Sequence, residues 1–243
     1  MQKYYAQFGE DLYLEKLYGT NTGTIVEVGA FDGVTYSNSY LLEKKGWKCV
    51  LVEPNPYLCQ KISAARSALL FNNAAGRTAG TIALNFSPGK EEYAYTDCED
   101  SAIAHSPLVT ATETVEVEQI RLDEICRQSN IDTIDVLTID VEGNEMGVLE
   151  GFSLDIWKPT IIIIEDNTQF RDRSIERYLT NRGYKPFKRS GVNDWYHRLD
   201  STFTPTGFEH VLYSLKRMRA SLRNKCPQPI VSMYRTFKQA IER

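Results

Sequence analysis

Glu27-Val-Gly-Ala-Phe-Asp-Gly33 sets two acids and two glycines at the end of the apolar run Thr24 to Val28. The run reads as a buried strand and the glycines as the turn that follows it. An open α/β sheet takes its ligand beyond the carboxyl ends of its strands, so this turn marks a candidate binding edge. Working outward, the apolar run Lys48-Cys-Val-Leu-Val52 ends in Glu53-Pro-Asn-Pro56. A carboxylate at that tip can accept from both hydroxyls of a ribose. The two tips together describe a nucleoside pocket.

The turn chemistry selects the nucleoside. A dinucleotide site uses Gly-x-Gly-x-x-Gly to bring a helix N-terminus against a pyrophosphate. This chain has Gly29 and Gly33 flanked by Glu27 and Asp32, and carboxylates repel phosphate. S-adenosylmethionine has no phosphate but carries a sulfonium and an α-ammonium, which suits these acids. On this reading Glu27, Gly29, Ala30, Phe31 and Asp32 surround the methionine portion, with Gly29 letting the backbone approach it. Glu53, with Pro54 and Asn55 beside it, takes the ribose, and Asn73-Ala74 at the third strand end meets adenine. Simpler roles stand beside these: Gly33 permits the turn, Asn55 ends the strand between two prolines, and Ser37 and Asn38 either cap the next helix or line the pocket.

Tyr5-Ala-Gln-Phe-Gly-Glu-Asp-Leu12, Glu27-Val-Gly-Ala-Phe-Asp-Gly33, Ser37-Asn-Ser39, Gly46-Trp47, Glu53-Pro-Asn-Pro56 and Leu137-Thr-Ile-Asp-Val-Glu-Gly-Asn-Glu145 follow one another in the order seen in FkbM-like methyltransferases. From about Tyr5 to His197 the chain resembles that family. The resemblance implies a Rossmann-like α/β fold and S-adenosylmethionine-dependent O-methylation, commonly of sugar or polyketide hydroxyls. It also implies that the opening helix, with Gln7, Glu10 and Asp11, closes over the cofactor.

At 243 residues, 42% hydrophobic and 25% charged, the chain can bury one substantial core. We expect a catalytic domain over 1–206, with a mostly parallel central sheet and covering helices, and a helical appendage over 207–243. The five cysteines are scattered and lack Cys-x-x-Cys spacing, which indicates neither a disulfide framework nor a zinc site. With no basic, apolar leader and no run of about 20 apolar residues, a soluble cytoplasmic protein is expected. The net charge of -4 hides an asymmetry: from Val211 to Arg243 eight Lys or Arg face Glu242 alone. The remainder is therefore strongly acidic, which argues against nucleic acid as a partner.

Periodicity predicts helices over Glu10 to Leu17, Tyr36 to Lys44, Tyr57 to Ser63, Asn144 to Leu149 and Arg173 to Asn181. Further strands are expected at Ala68 to Asn73, Gly80 to Phe86, Thr112 to Gln119, Ile134 to Ile139 and Pro159 to Ile164, and Tyr184 to Lys188 with Asp194 to Arg198 reads as an antiparallel pair. The polar stretch Ser87 to Thr110 is too long for an ordinary connection and is expected to be a lid over the acceptor. In the tail, Val211, Leu215, Met218 and Leu222, then Ile230, Tyr234, Phe237 and Ile241, recur at helical intervals on either side of Cys226-Pro-Gln-Pro229. Two amphipathic helices result, suited to packing on the domain, to a homo-oligomer, to a glycosyltransferase partner or to peripheral membrane contact.

Methyl transfer to an alcohol requires an aligned oxygen and a destination for its proton, so a general base or a metal is expected. Asp140, Glu165 and Asp166 are acids closing two apolar runs and form a candidate Mg2+ set. Asp140 and Glu142 have the alternative of capping a helix or holding the cofactor ammonium. Asp140, His197 and His105 are the candidate bases, His197 near the end of the sheet and His105 in the expected lid; His210 is weaker. The leading reading is methylation of a sugar hydroxyl in a glycan or glycosylated metabolite. The competing readings are a catalytically silent cofactor-binding scaffold that recruits a glycan-synthesis partner, and an NAD-dependent oxidoreductase.

Overall fold

A computed structural model describes residues 4–87, 94–96 and 113–225, and in it the short apolar runs become neighbouring strands. After α1 (Glu10–Tyr18), the chain lays down β1 (Thr24–Val28), α2 (Tyr40–Glu43), β2 (Lys48–Val52), α3 (Pro56–Ala65) and β3 (Leu69–Phe71). A small sheet follows, made of β4 (Ala74–Ala75), β5 (Gly80–Phe86), β6 (Tyr95–Thr96) and β7 (Glu113–Ile120). The chain then returns through α4 (Leu122–Gln128) to β8 (Val136–Ile139), α5 (Glu145–Glu150), α6 (Leu154–Trp157), β9 (Ile161–Glu165) and α7 (Ser174–Thr180). It closes with β10 (Tyr184–Ser190), β11 (Asn193–Arg198) and α8 (Gly207–Lys225).

The main sheet has the order β10-β11-β9-β8-β1-β2-β3. Strands β3, β2, β1, β8 and β9 are parallel, and β11 enters antiparallel to β9. The chain runs outward from β1 to β3 and then restarts beside β1 with β8, so the direction of winding reverses between β1 and β8. At such a reversal the loops on either side splay apart and leave a crevice at the strand ends.

Parallel strands are covered on both faces, which explains their largely apolar sequences, interrupted by the buried Glu27 in β1 and Thr138 in β8. Val26, Val28, Leu137, Ile139, Ile162 and Ile164 pack on one face with Ile125 of α4 and Leu149 of α5. Ile25, Val136, Ile161 and Ile163 turn to the other face and meet Leu14, Leu42, Phe187 and Trp195. Cys49, Cys59 and Cys126 are free and buried, so these three act as small apolar core residues.

Several elements differ from the sequence expectation. The helix expected over Tyr36 to Lys44 shrinks to Tyr40–Glu43, because Tyr36 has a left-handed φ of 61° and the next three residues are held by a buried carboxylate. Helices α4 and α6 were not anticipated; at seven and four residues they are too short to show a clear period. Most of the expected lid, Ser87 to Thr110, lies outside the described residues.

Helix α8 packs against β10, with Tyr213 and Ala220 buried beneath it. The Lys216 ammonium donates to the Arg189 carbonyl at 2.6 Å, and Arg217 bonds Glu176 at 2.9 Å. Its opposite side exposes Phe208, Val211, Leu212, Leu215, Met218 and Leu222. The second amphipathic tail segment lies outside the described residues. No described helix is long and apolar enough to cross a membrane.

Candidate active site

The carboxyl ends of β1, β2, β8 and β9 open onto one cavity of about 610 Å3. Its floor depends on backbone contacts. The N–H groups of Gly29 and Ala30 donate to the Val52 carbonyl at 3.0 and 3.2 Å, and the Asp140 N–H donates to the Val28 carbonyl at 3.0 Å. Gly29 has φ 86°, and a Cβ there would lie 1.7 Å from the Asp140 carbonyl oxygen. The close approach that requires glycine is therefore to Asp140, where the sequence reading had the methionine portion.

At the next tip, the Glu53 carboxylate accepts the N–H of Phe31 and the N–H of Asn55, each at 2.9 Å. These bonds fix its orientation and leave further lone pairs for a ligand that donates hydroxyls. Burial pushes Glu53 up to about 7, and the two backbone donors only partly oppose that shift.

Glu27 touches the cavity wall, but its carboxylate is occupied within the protein. It accepts the Ser37 hydroxyl at 2.9 Å, the Asn38 N–H at 2.6 Å and the Ser39 hydroxyl. Arg66 stands behind it, donating to the Ser39 hydroxyl at 2.9 Å and the Gly33 carbonyl at 2.6 Å. This buried network turns Asn38 into the cavity wall, while the Ser37 hydroxyl accepts the N–H of Tyr40 at the start of α2.

Gln7, Ala30, Phe31, Pro54, Asn73 and Ala74 also line the cavity. Two residues expected beside the cofactor do not. Asp32 accepts the N–H groups of Val34 and Thr35 at 2.8 and 2.6 Å, so it closes its own turn. Asn55 is fully buried and caps α3 by accepting the Tyr57 N–H at 3.0 Å. Glu10 and Asp11 are also structural: Glu10 accepts from Ser190 and Asn193, and Asp11 accepts the Tyr5 N–H.

Three carboxylates meet at the opposite wall. Asp140, Glu142 and Glu165 each place an oxygen within 4.8 Å of the others. Glu142 has φ 56°, a conformation that non-glycine residues adopt rarely. Its loop is held by Glu145, which accepts the N–H groups of Val141 and Gly143 at 3.3 and 2.9 Å. Burial raises all three acids; repulsion from Asp140 and Glu145 takes Glu142 to about 8, repulsion from Asp140 and Glu142 adds to the rise of Glu165, and Asp140 is raised further by Glu145 while a hydrogen bond with Glu165 opposes its shift. Near neutral pH the group therefore retains protons, which places at least one member near the balance point of a general base.

Asp166 does not join this group. Successive residues at a strand end face opposite sides, so Glu165 enters the cavity and Asp166 leaves it. Asp166 bonds Arg189 at 3.0 Å and accepts the N–H groups of Thr168 and Phe170. The oxygen-donor set is thus Asp140, Glu142 and Glu165.

The histidine expectations change as well. Along β11, Asn193 pairs with Glu165 but His197 pairs with Ile161, four residues from the cavity edge. That separation is about 13 Å. His197 is buried between Phe187 and His210, with ring centroids 5.7 and 5.8 Å away, and it does not line the cavity. It lies at the wrong end of the sheet to act as the base. His105 lies outside the described residues.

Sequence reasoning missed Phe8, Tyr36, Asn144 and Val192, which line the cavity together with Asn167, the neighbour of the Glu165-Asp166 pair. Phe8 lies inside the opening block, where only its neighbours were singled out. Tyr36 and Val192 carried no local signal.

A model of the methyltransferase FkbM domain matches residues 27–186. No curated protein matches the chain.

Proposed function

Because the chain belongs to the FkbM methyltransferase family, we propose that it transfers the methyl group of S-adenosylmethionine to a hydroxyl of a sugar, on a Rossmann-like fold. The observation that carries this reading is the convergence of Glu53, the Gly29 turn and Asp140 on one cavity at the ends of three adjacent strands. S-adenosylmethionine supplies an electrophilic methyl carbon. Glu53 takes the ribose hydroxyls, and Asn73 and Ala74 border the adenine. The Asp140 carboxylate at the cavity wall favours the donor's positive groups.

The acceptor oxygen attacks the methyl carbon as its bond to sulfur breaks, and S-adenosylhomocysteine leaves. The hydroxyl proton passes to a carboxylate of the Asp140, Glu142 and Glu165 group, whose raised proton affinity matches a base working near neutral pH. A second reading is favoured by the same three groups: an all-oxygen donor set is the kind Mg2+ takes, and a bound cation would acidify the acceptor hydroxyl.

Calorimetric titration with S-adenosylmethionine, followed by a methyl-transfer screen of nucleotide sugars and glycans with mass detection, tests the proposal. Donor binding and a product heavier by one methylene unit are expected. A folded protein that binds no donor would overturn it, and binding without turnover of any acceptor would favour a scaffold role.

A further inference from the structure

Two aromatic side chains stand at the rim of the cavity without being buried by the fold. Phe8 is 42% exposed and Tyr36 is 55% exposed, yet both line the cavity wall. Phe187 and Trp195 are buried in the core, while Tyr4, Tyr57 and Phe208 are exposed but lie outside the cavity lining. Single exposed aromatics are ordinary, but two bordering one concavity offer a ligand a ring surface.

The backbone holds both in place. Tyr36 has φ 61°, a region that bulky residues adopt rarely. Ala6 pairs with Tyr36 in an isolated parallel bridge, which binds the segment carrying Phe8 to the segment carrying Tyr36. The Phe8 N–H donates to Glu10 at 2.8 Å, and the Phe8 ring fills the space above Gly191, where a Cβ would lie 2.2 Å from it. These restraints fix the backbone at Tyr36 and seat the Phe8 ring before any ligand arrives.

Asn38, Asn144 and Asn167 line the same cavity as the rings and the three carboxylates. A pyranose matches that mixture. Its hydroxyl rim seeks amides and carboxylates, and its C–H face seeks an aromatic surface. We infer that Phe8 and Tyr36 form a stacking platform for the apolar face of a pyranose, turning one of its hydroxyls toward Asp140, Glu142 and Glu165. The inference rests on the sugar-acceptor reading above and supplies its binding subsite.

Saturation-transfer NMR tests it, using the methyl glycosides of glucose, galactose, mannose, fucose and N-acetylglucosamine, with cyclohexanol as control and S-adenosylhomocysteine present. Ring C–H protons of at least one glycoside should be saturated more strongly than cyclohexanol. That signal should fall at least fivefold in Phe8→Ala and in Tyr36→Ala, and return in Phe8→Tyr and Tyr36→Phe. The S-adenosylhomocysteine affinity, measured by calorimetry, should stay within twofold in all four variants. Glycosides saturated no more than cyclohexanol, or a glycoside signal that survives both alanine substitutions, would overturn the platform. Failure of the unmodified protein to bind S-adenosylhomocysteine would strike the donor reading instead, since the glycoside signal is read separately.

Discussion

Gly29 and Asp140 meet through their backbones: a Cβ on Gly29 would fall 1.7 Å from the Asp140 carbonyl oxygen. This contact joins the β1 turn to the end of β8, the two strands between which the winding reverses. Gly29→Ala adds that clash to a φ of 86°, so the turn must move. We expect a loss of about 3 kcal/mol or more in stability, together with loss of donor binding. Thermal unfolding and calorimetry check this; a variant that keeps both unchanged would show that the turn tolerates a side chain.

Glu53→Ala removes a carboxylate that is oriented by two backbone donors and faces the cavity. A hydrogen bond to a charged group contributes roughly 1.5–3 kcal/mol, so the affinity for S-adenosylmethionine should fall about ten- to a hundredfold. Circular dichroism establishes that the variant is folded. Unchanged affinity in a folded variant would remove Glu53 from the ribose site.

Asp140→Asn separates the two uses of the acid group. If Asp140, Glu142 and Glu165 hold Mg2+, chelation abolishes turnover, Mg2+ restores it, and the substitution removes both metal binding and activity. If the group serves as the base, chelation leaves turnover unchanged while Asp140→Asn lowers it by about 10²-fold or more. Turnover that survives both treatments would exclude Asp140 from either role.

Glu142 supplies a pH test with a defined sign. Its proton affinity is raised from an ordinary 4.5 to about 8, chiefly by burial and then by Asp140 and Glu145. Between those values the folded chain holds a proton that the unfolded chain has lost. Its contribution to stability therefore declines as pH rises from 4.5 to about 8. Glu142→Gln cannot ionise, so its melting temperature relative to the unmodified protein should climb across that window, without added metal or ligand. A difference that is flat with pH would show that Glu142 is not held in its neutral form.

The sheet, and the edge that carries the site, were legible in single runs of the chain. The strands over Thr24–Val28 and Lys48–Val52 were legible because a strand buried on both faces must be apolar throughout its length, a local property. Glu53 and Asp140 were found for the same reason, since each stands at the end of such a run. Direction and facing emerged with the assembled fold. Strand side alternation sends Glu165 into the cavity and Asp166 to Arg189, although the two are adjacent in the chain. The antiparallel entry of β11 carries His197 away from the edge that Asn193 reaches. The Ala6 bridge to the left-handed Tyr36 and the buried bonds of Glu27 to Ser37 and Ser39 join residues distant in sequence. Local composition reports how deeply a residue must be buried, whereas the facing of its side chain depends on partners that only the folded chain brings together.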